Sequence, residues 1–283
     1  MKLRKTVHIS YLAILASFHT QLNAEEVNQQ PYWQSYNTHT AIYTQSTSAT
    51  SSNIDSQHKV SSQNIMLDTY TLGRLGNSVY FGFIEAIFGK LNETSNGSDK
   101  SPYGSDLLQV RGMISQQWRL NAPFSMGWNY YGIDRNLTYT PTGKFGYSFD
   151  SLGVIANYTW DKWTFMPQLN YVFNGDMGKD GLHGLGASHF DGFFFLPVLR
   201  RELSGNGSYF TLMPEYFAGY GDHDTEVKYM KWQFRLAAPL GESNKWWLNG
   251  RFEHTSYNQY DYFGHDISPS QDTAISVGIQ YNW

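Results

Sequence analysis

The chain contains no cysteine in 283 residues, so neither disulfides nor thiolate metal sites can hold its fold. Beyond residues 7–18 it has no long apolar run, and even that one falls short of the ~20 apolar residues a membrane-spanning helix needs. Helical periodicity is missing, as are a P-loop, a Cys/His zinc spacing and a nucleophile elbow, so no cofactor or metal is expected. The run from Gly73 to Gly76 is too short for a phosphate cradle and opens no helix. Positive charge is scarce too. Without residues 1–24, which hold three of the 20 basic and none of the 24 acidic side chains, the net charge is −7. That balance argues against a nucleic-acid polymer as partner.

What the chain does have is aromatic residues, 17% of the total, in a sequence whose mean hydropathy is only −0.47. A β-barrel in a membrane resolves the paradox. Half of each strand faces lipid, half faces water or polar neighbours, and the aromatic excess forms two interfacial girdles. Both ends of the chain support this reading. Lys2, Arg4 and Lys5 precede the apolar run, and Leu22-Asn23-Ala24 follows it, the pattern of a secretory signal peptide cleaved after Ala24. The barrel then comprises residues 25–283. The last eleven residues, T-A-I-S-V-G-I-Q-Y-N-W, alternate large apolar Ile275, Val277, Ile279, Tyr281 and Trp283 with small or polar neighbours. This is a strand with one oily face, of the ~9–11 residues that cross a bilayer.

Read in order, the chain yields twelve such strands. Polar stretches of some length are expected at residues 47–57, 89–102, 134–146, 174–185, 219–226 and 257–270. Short turns are expected near Gly73, Asn121, Asp161, Glu202 and Pro239. Long connections after odd strands and short ones after even strands match a bacterial outer-membrane barrel with both termini on the periplasmic side. A soluble sandwich has no reason for that asymmetry. The expected fold is therefore all-β, a transmembrane up-and-down antiparallel β-barrel of about 12 strands.

The oily parity assigns the lumen by subtraction. In the tenth strand Trp232, Phe234, Leu236 and Ala238 face lipid, which turns Lys231, Gln233 and Arg235 inward. In the eleventh, Trp246, Leu248, Gly250 and Phe252 face out and Trp247, Asn249, Arg251 and Glu253 face in. In the fourth, Leu108, Val110, Gly112 and Ile114 leave Gln109, Arg111 and Ser115 inside. A lipid-facing Arg near the midplane costs about 2–4 kcal/mol, which favours this parity. The third strand has two oily faces, and Glu85 decides it: a carboxylate is too costly in lipid, so Phe81, Phe83 and Glu85 turn inward. Rings on a lumen wall can stack a planar solute; alternatively they pack the interior while the charges pair with one another.

With the strands placed, the chain resembles the nucleoside-specific channel-forming family of Gram-negative outer membranes (Tsx-like). The resemblance rests on Tyr32-Trp33-Gln34-Ser35, on Tyr80-Phe81-Gly82-Phe83-Ile84-Glu85, on Asp191-Gly192-Phe193 and on the ending from Val277 to Trp283. Ser105 stands where the family has Glu ahead of the Arg-bearing strand. The resemblance implies a twelve-stranded, monomeric outer-membrane channel for passive uptake of nucleosides or similar small polar solutes, with Phe81, Phe83, Glu85 and Arg111 as the best lumen candidates. Arg235, Arg251 and Glu253 join them from the parity reading. The implied partners are the solute, outer-membrane lipid and lipopolysaccharide, and the assembly machinery that reads the C-terminal strand. Two other readings stand beside it. His254 and Ser256, with Asp266 or Asp272 as acid, resemble the His-x-Ser-Asn of lipid A deacylases, interrupted here by Tyr257, and a Ser activated by His is sound hydrolytic chemistry. Arg111, Arg235 and Arg251 would also suit a channel for acidic oligosaccharides.

Overall fold

The computed structural model describes residues 34–53, 56–75, 78–95, 98–99, 105–121, 123–139, 143–177, 189–203, 205–221, 226–259 and 270–283. The expected signal peptide and the Tyr32-Trp33 pair lie outside them. Alternation of apolar and polar residues carries through into strand after strand: β1 (Gln34–Asn53), β2 (Ser56–Leu75), β3 (Ser78–Ser95), β4 (Ser98–Asp99), β5 (Ser105–Asn121), β6 (Phe124–Tyr139) and β7 (Gly143–Trp160). They are followed by β8 (Trp163–Met177), β9 (Phe190–Glu202), β10 (Tyr209–Gly221), β11 (Glu226–Leu240), β12 (Trp246–Gln259) and β13 (Ser270–Asn282). No helix occurs among the described residues.

Each long strand pairs antiparallel with its neighbours in sequence, in the order β2-β1-β13-β12-β11-β10-β9-β8-β7-β6-β5-β3, and pairing of β2 with β3 completes the ring. The result is a closed barrel of twelve long strands. The two-residue β4 only pairs antiparallel with the end of β3, at Thr94 and Ser95. Closure leaves no exposed sheet edge, the condition for strands to reside in lipid. The chain ends meet at this closure. Ile42 pairs with Ile279, the backbone N–H of Trp283 donates to the Thr38 carbonyl at 2.9 Å, and the Trp283 indole N–H donates to Thr40 Oγ1 at 3.3 Å. Gly278 is needed there: a Cβ would lie 2.3 Å from the Tyr43 ring and 2.4 Å from the Ile42 carbonyl oxygen.

The short turns use residues that accept a left-handed backbone. Asp161 (φ 48°) turns β7 into β8, while Gly241 (φ 80°) and Asn244 (φ 53°) turn β11 into β12; Gly, Asn and Asp visit this region at least cost. At the same end the outer surface carries a girdle: Trp160 and Trp163 stack at 6.2 Å, Phe210 meets Trp163 edge-on at 5.8 Å, and Tyr281 lies between Trp246 at 4.8 Å and Trp283 at 5.1 Å. Above it the outward parity is apolar, with Ile65, Leu67, Leu108, Val110, Leu152, Val154, Phe234, Leu236, Leu248, Ile275, Val277 and Ile279 all exposed. Polar side chains dominate the opposite face, where Gln109, Arg111, Ser115, Asn129, Gln168, Asn170, Asn249 and Ser276 are buried.

The long-loop ends differ from the sequence reading. The Ser/Thr-rich residues 47–57 form no loose loop: β1 runs to Asn53 and β2 starts at Ser56, with Ser48 opposite Ser61 and Ser51 opposite His58. Likewise β6 reaches Tyr139 and β7 starts at Gly143. With 20 residues in β1 and in β2 and 18 in β3, these strands exceed the ~9–11 residues that cross a bilayer. A polar extension keeps its ladder hydrogen bonds, so it continues the strand into water.

Candidate functional site in the lumen

Halfway along the barrel, inward side chains from six strands form one ionic belt. β3 supplies Glu85, β5 Arg111, β12 Arg251 and Glu253, β11 Lys231, Gln233 and Arg235, β10 Glu215, and β2 Asp68. Glu85 is 2% exposed, Arg111 5%, Arg251 6% and Glu253 5%. Arg111 holds Glu85 through Nε–Oε1 at 2.6 Å, and Arg251 pairs with both Glu85 and Glu253. Lys231 Nζ lies 2.9 Å from Glu253 Oε2, and Arg235 Nη1 lies 3.5 Å from Asp68 Oδ2. Arg111 also donates to Gln233 Oε1 at 3.3 Å, as does Arg251 at 3.0 Å; Gln233 in turn donates to Glu215 at 3.0 Å. β5 and β11 are diametrically opposite, six strand steps apart in either direction. At this level side chains therefore meet across the lumen.

The belt is charge-balanced. Among the described residues it holds four cations, Arg111, Lys231, Arg235 and Arg251, and four carboxylates, Asp68, Glu85, Glu215 and Glu253. Arg235 spends its remaining donors on Tyr43 (2.7 Å), Gln280 (3.1 Å) and Asn249 (3.1 Å). Buried ions need this degree of pairing, because each loses several kcal/mol of hydration.

Beside the belt runs a continuous path of rings. Near the short-turn end His39 lies flat on Tyr70 at 4.7 Å, and Phe81 meets Tyr70 edge-on at 4.9 Å. Phe83 follows at 6.2 Å from Phe81 and 6.4 Å from Tyr131. Tyr131 stacks on Phe194 at 4.9 Å, Phe149 on Phe217 at 6.1 Å, and Phe217 on Tyr229 at 5.7 Å. Phe190 closes the far end against Phe217 at 5.3 Å. The two systems join where the Tyr229 hydroxyl donates to Glu215 at 2.6 Å.

The seven lumen residues named from sequence, Phe81, Phe83, Glu85, Arg111, Arg235, Arg251 and Glu253, thus lie on the inner wall. Five are in the belt, while Phe81 and Phe83 are partly buried on the ring path. Asp68 was missed although β2 alternates there: Ile65 and Leu67 are exposed while Met66 and Asp68 are buried. Tyr131, Phe149, Phe194 and Phe217 were missed for a better reason. In β9 Phe193, Phe194 and Phe195 put rings on both faces, so no parity marks the inner one.

His254 and Ser256 lie on the outward parity of β12. His254 Nδ1 is 3.0 Å from Thr273 Oγ1, and Ser256 is two residues along the strand, about 7 Å by strand geometry. Asp272 sits opposite Thr255 in the ladder, the position between them, and Asp266 lies outside the described residues. Among the described residues His254 bonds Thr273 and not Ser256.

No protein-family model matches the chain, and no curated protein sequence matches it. Solved structures do. An outer membrane channel from Pseudomonas putida F1 superposes with a TM-score of 0.55 at 11% identity, covering 91% of this chain and 100% of that one. The CymD monoaromatic hydrocarbon channel gives 0.48 at 8% identity, over 88% and 89%. The translocator domain of the autotransporter NalP from Neisseria meningitidis gives 0.47 at 12%, over 98% and 96%. At 11% identity the first likeness is one of fold: this chain is a closed antiparallel barrel of the kind bacterial outer membranes contain.

Proposed function

We propose that the protein is a passive channel of a Gram-negative outer membrane that admits nucleosides or similar small polar solutes carrying a planar ring. One observation supports this reading above the others: an unbroken path of lumen rings from Tyr70 to Phe217 borders a charge-balanced belt. A solute that is flat and polar-edged can exchange stacking with each ring, at about 1–3 kcal/mol per base, while its edge trades hydrogen bonds with Gln233, Glu85 or Arg111. A solute with net charge gains little from a belt that presents both signs equally, which weighs against acidic oligosaccharides as cargo.

The belt is then the selective layer, since its side chains span the barrel and must part for a solute to pass. Reconstituted in planar bilayers, the mature protein is expected to conduct ions weakly, with a reversal potential near zero in a salt gradient, and adenosine is expected to block part of that current. Full conductance with no adenosine block removes the nucleoside reading, and a strongly anionic reversal potential favours the oligosaccharide one.

A further inference from the structure

The short-turn end of the lumen holds side chains whose bonding capacity the fold leaves unused. His39 is 4% exposed, and neither ring nitrogen has a hydrogen-bond partner; its only close contact of this kind is the face of Tyr70. Arg200, on β9, shares the inward parity of Leu196 and Val198. Its guanidinium carbon sits 3.8 Å from the centre of the Tyr209 ring, and no carboxylate of the described residues pairs with it. Tyr209 in turn leans on Trp247 at 5.8 Å. Both groups stand at this end of the lumen: Trp247 lies opposite Gln280 and Gln280 opposite Ala41, so the indole behind Tyr209 shares an inward row with Ala41, the inward position next to His39.

The contrast with the belt is chemical. Arg111, Arg235 and Arg251 each have a carboxylate, whereas among the described residues the Arg200 fork of five N–H donors has a ring face beside it and no carboxylate. A buried imidazole without a partner is unfavourable by itself, and a half-buried guanidinium without a carboxylate keeps its donors open to a ligand. One ligand can serve both: an anionic group on the Arg200 fork, a polar ring edge on His39, and a flat body between them beside Tyr209. From this the geometry points to a binding site, at the short-turn end of the lumen, for a small organic anion that carries a planar ring. The anionic group is a carboxylate or a phosphate ester, either of which the guanidinium fork accepts bidentately. This inference rests on the lumen being a solute path, and goes beyond the neutral solutes proposed above.

The test compares blockers of the reconstituted full mature protein: benzoate, adenosine 5′-monophosphate, adenosine, and acetate as a ringless anion. Benzoate or the monophosphate should block at about tenfold lower concentration than acetate and adenosine, the scale of one added charge-assisted hydrogen-bond pair. In Arg200→Gln the ratio of ring-anion to adenosine block should fall to about one, and Arg200→Lys, which keeps the charge but not the fork, should restore part of it. His39→Phe should weaken ring-anion block by about threefold while leaving acetate untouched. Which of the two ring anions blocks more tightly tells carboxylate from phosphate ester. Equal block by benzoate and acetate, or a ratio that Arg200→Gln does not change, overturns the site. If adenosine never blocks but Arg200-dependent block by benzoate persists, the site stands and the nucleoside reading falls; the reverse result sinks the site alone.

Discussion

The two sides of the lumen are built on opposite principles. From β10 round to β5 the inner wall carries the ionic belt, whose charged side chains are tied to named partners by direction and distance. From β6 to β10 it is aromatic and aliphatic: Tyr131, Phe149, Ile155, Val172, Phe190, Phe194, Leu196 and Phe217 form one buried cluster. Salt-bridged side chains hold a specific cross-section and release it only as a set. Rings tolerate sliding and substitution by another ring. A barrel that pairs a rigid directional wall with a permissive stacking wall is suited to select a solute by its edge while carrying it by its face.

The largest expected effect comes from the ionic wall. Arg251→Ala strands Glu85 and Glu253 without one of their cations, and unpairing buried charge costs about 3–5 kcal/mol. Urea unfolding of the reconstituted barrel should show that loss, and the single-channel conductance should rise because a side chain spanning the lumen is gone. A double replacement sharpens the point: Glu85→Gln with Arg251→Met removes both charges, and the loss should shrink to within ~1–2 kcal/mol of wild type. If the double is no better than the single, pairing is not what the belt supplies.

On the aromatic wall the same experiment should hurt less. Phe194→Ala removes a ring stacked on Tyr131 and tilted on Phe149, at about 0.5–1.5 kcal/mol per ring pair beyond the packing, while Phe194→Tyr should be close to neutral. Phe83→Ala should weaken adenosine block by about five- to tenfold, corresponding to ~1–1.4 kcal/mol of the stacking range, with stability little changed because Phe83 is only partly buried. The smallest effect is expected from salt. Raising ionic strength from 0.1 to 1 M shortens the screening length from about 10 to 3 Å, yet the belt pairs are shielded from solvent, so the unfolding midpoint should hardly move. A large drop would mean that the belt is wetter than its burial indicates.

Much of the fold was legible because membrane strands repeat every two residues, and the repeat is local. β13 shows it in Ile275, Val277 and Ile279 against Ala274, Ser276 and Gly278, and the same rule placed Arg111, Arg235, Arg251 and Glu253 inside. In β3, where both faces are oily, the carboxylate of Glu85 alone decided the parity. Strand length was less legible. Polar runs such as Thr47 to Asn53 look like loop because Ser and Thr are common in both, and only ladder bonds to a neighbour keep them extended. Which charge meets which could not be read. Arg111 and Gln233 are 122 residues apart and Arg251 and Glu85 are 166 apart, and no local pattern encodes a contact across a lumen.

The sequence by itself determined that the chain forms strands, which face of each is oily, and that charged side chains must turn away from lipid, because those follow from the spacing of residues a few positions apart and the cost of desolvating a charge. Only the closed barrel decided who stands opposite whom, since the closure and stagger of twelve strands bring β5 across from β11 and β3 near β12. It also decided that most inner charges are matched while Arg200 and His39 are not, because a partner is set by the geometry of the whole ring and not by any neighbour in the chain.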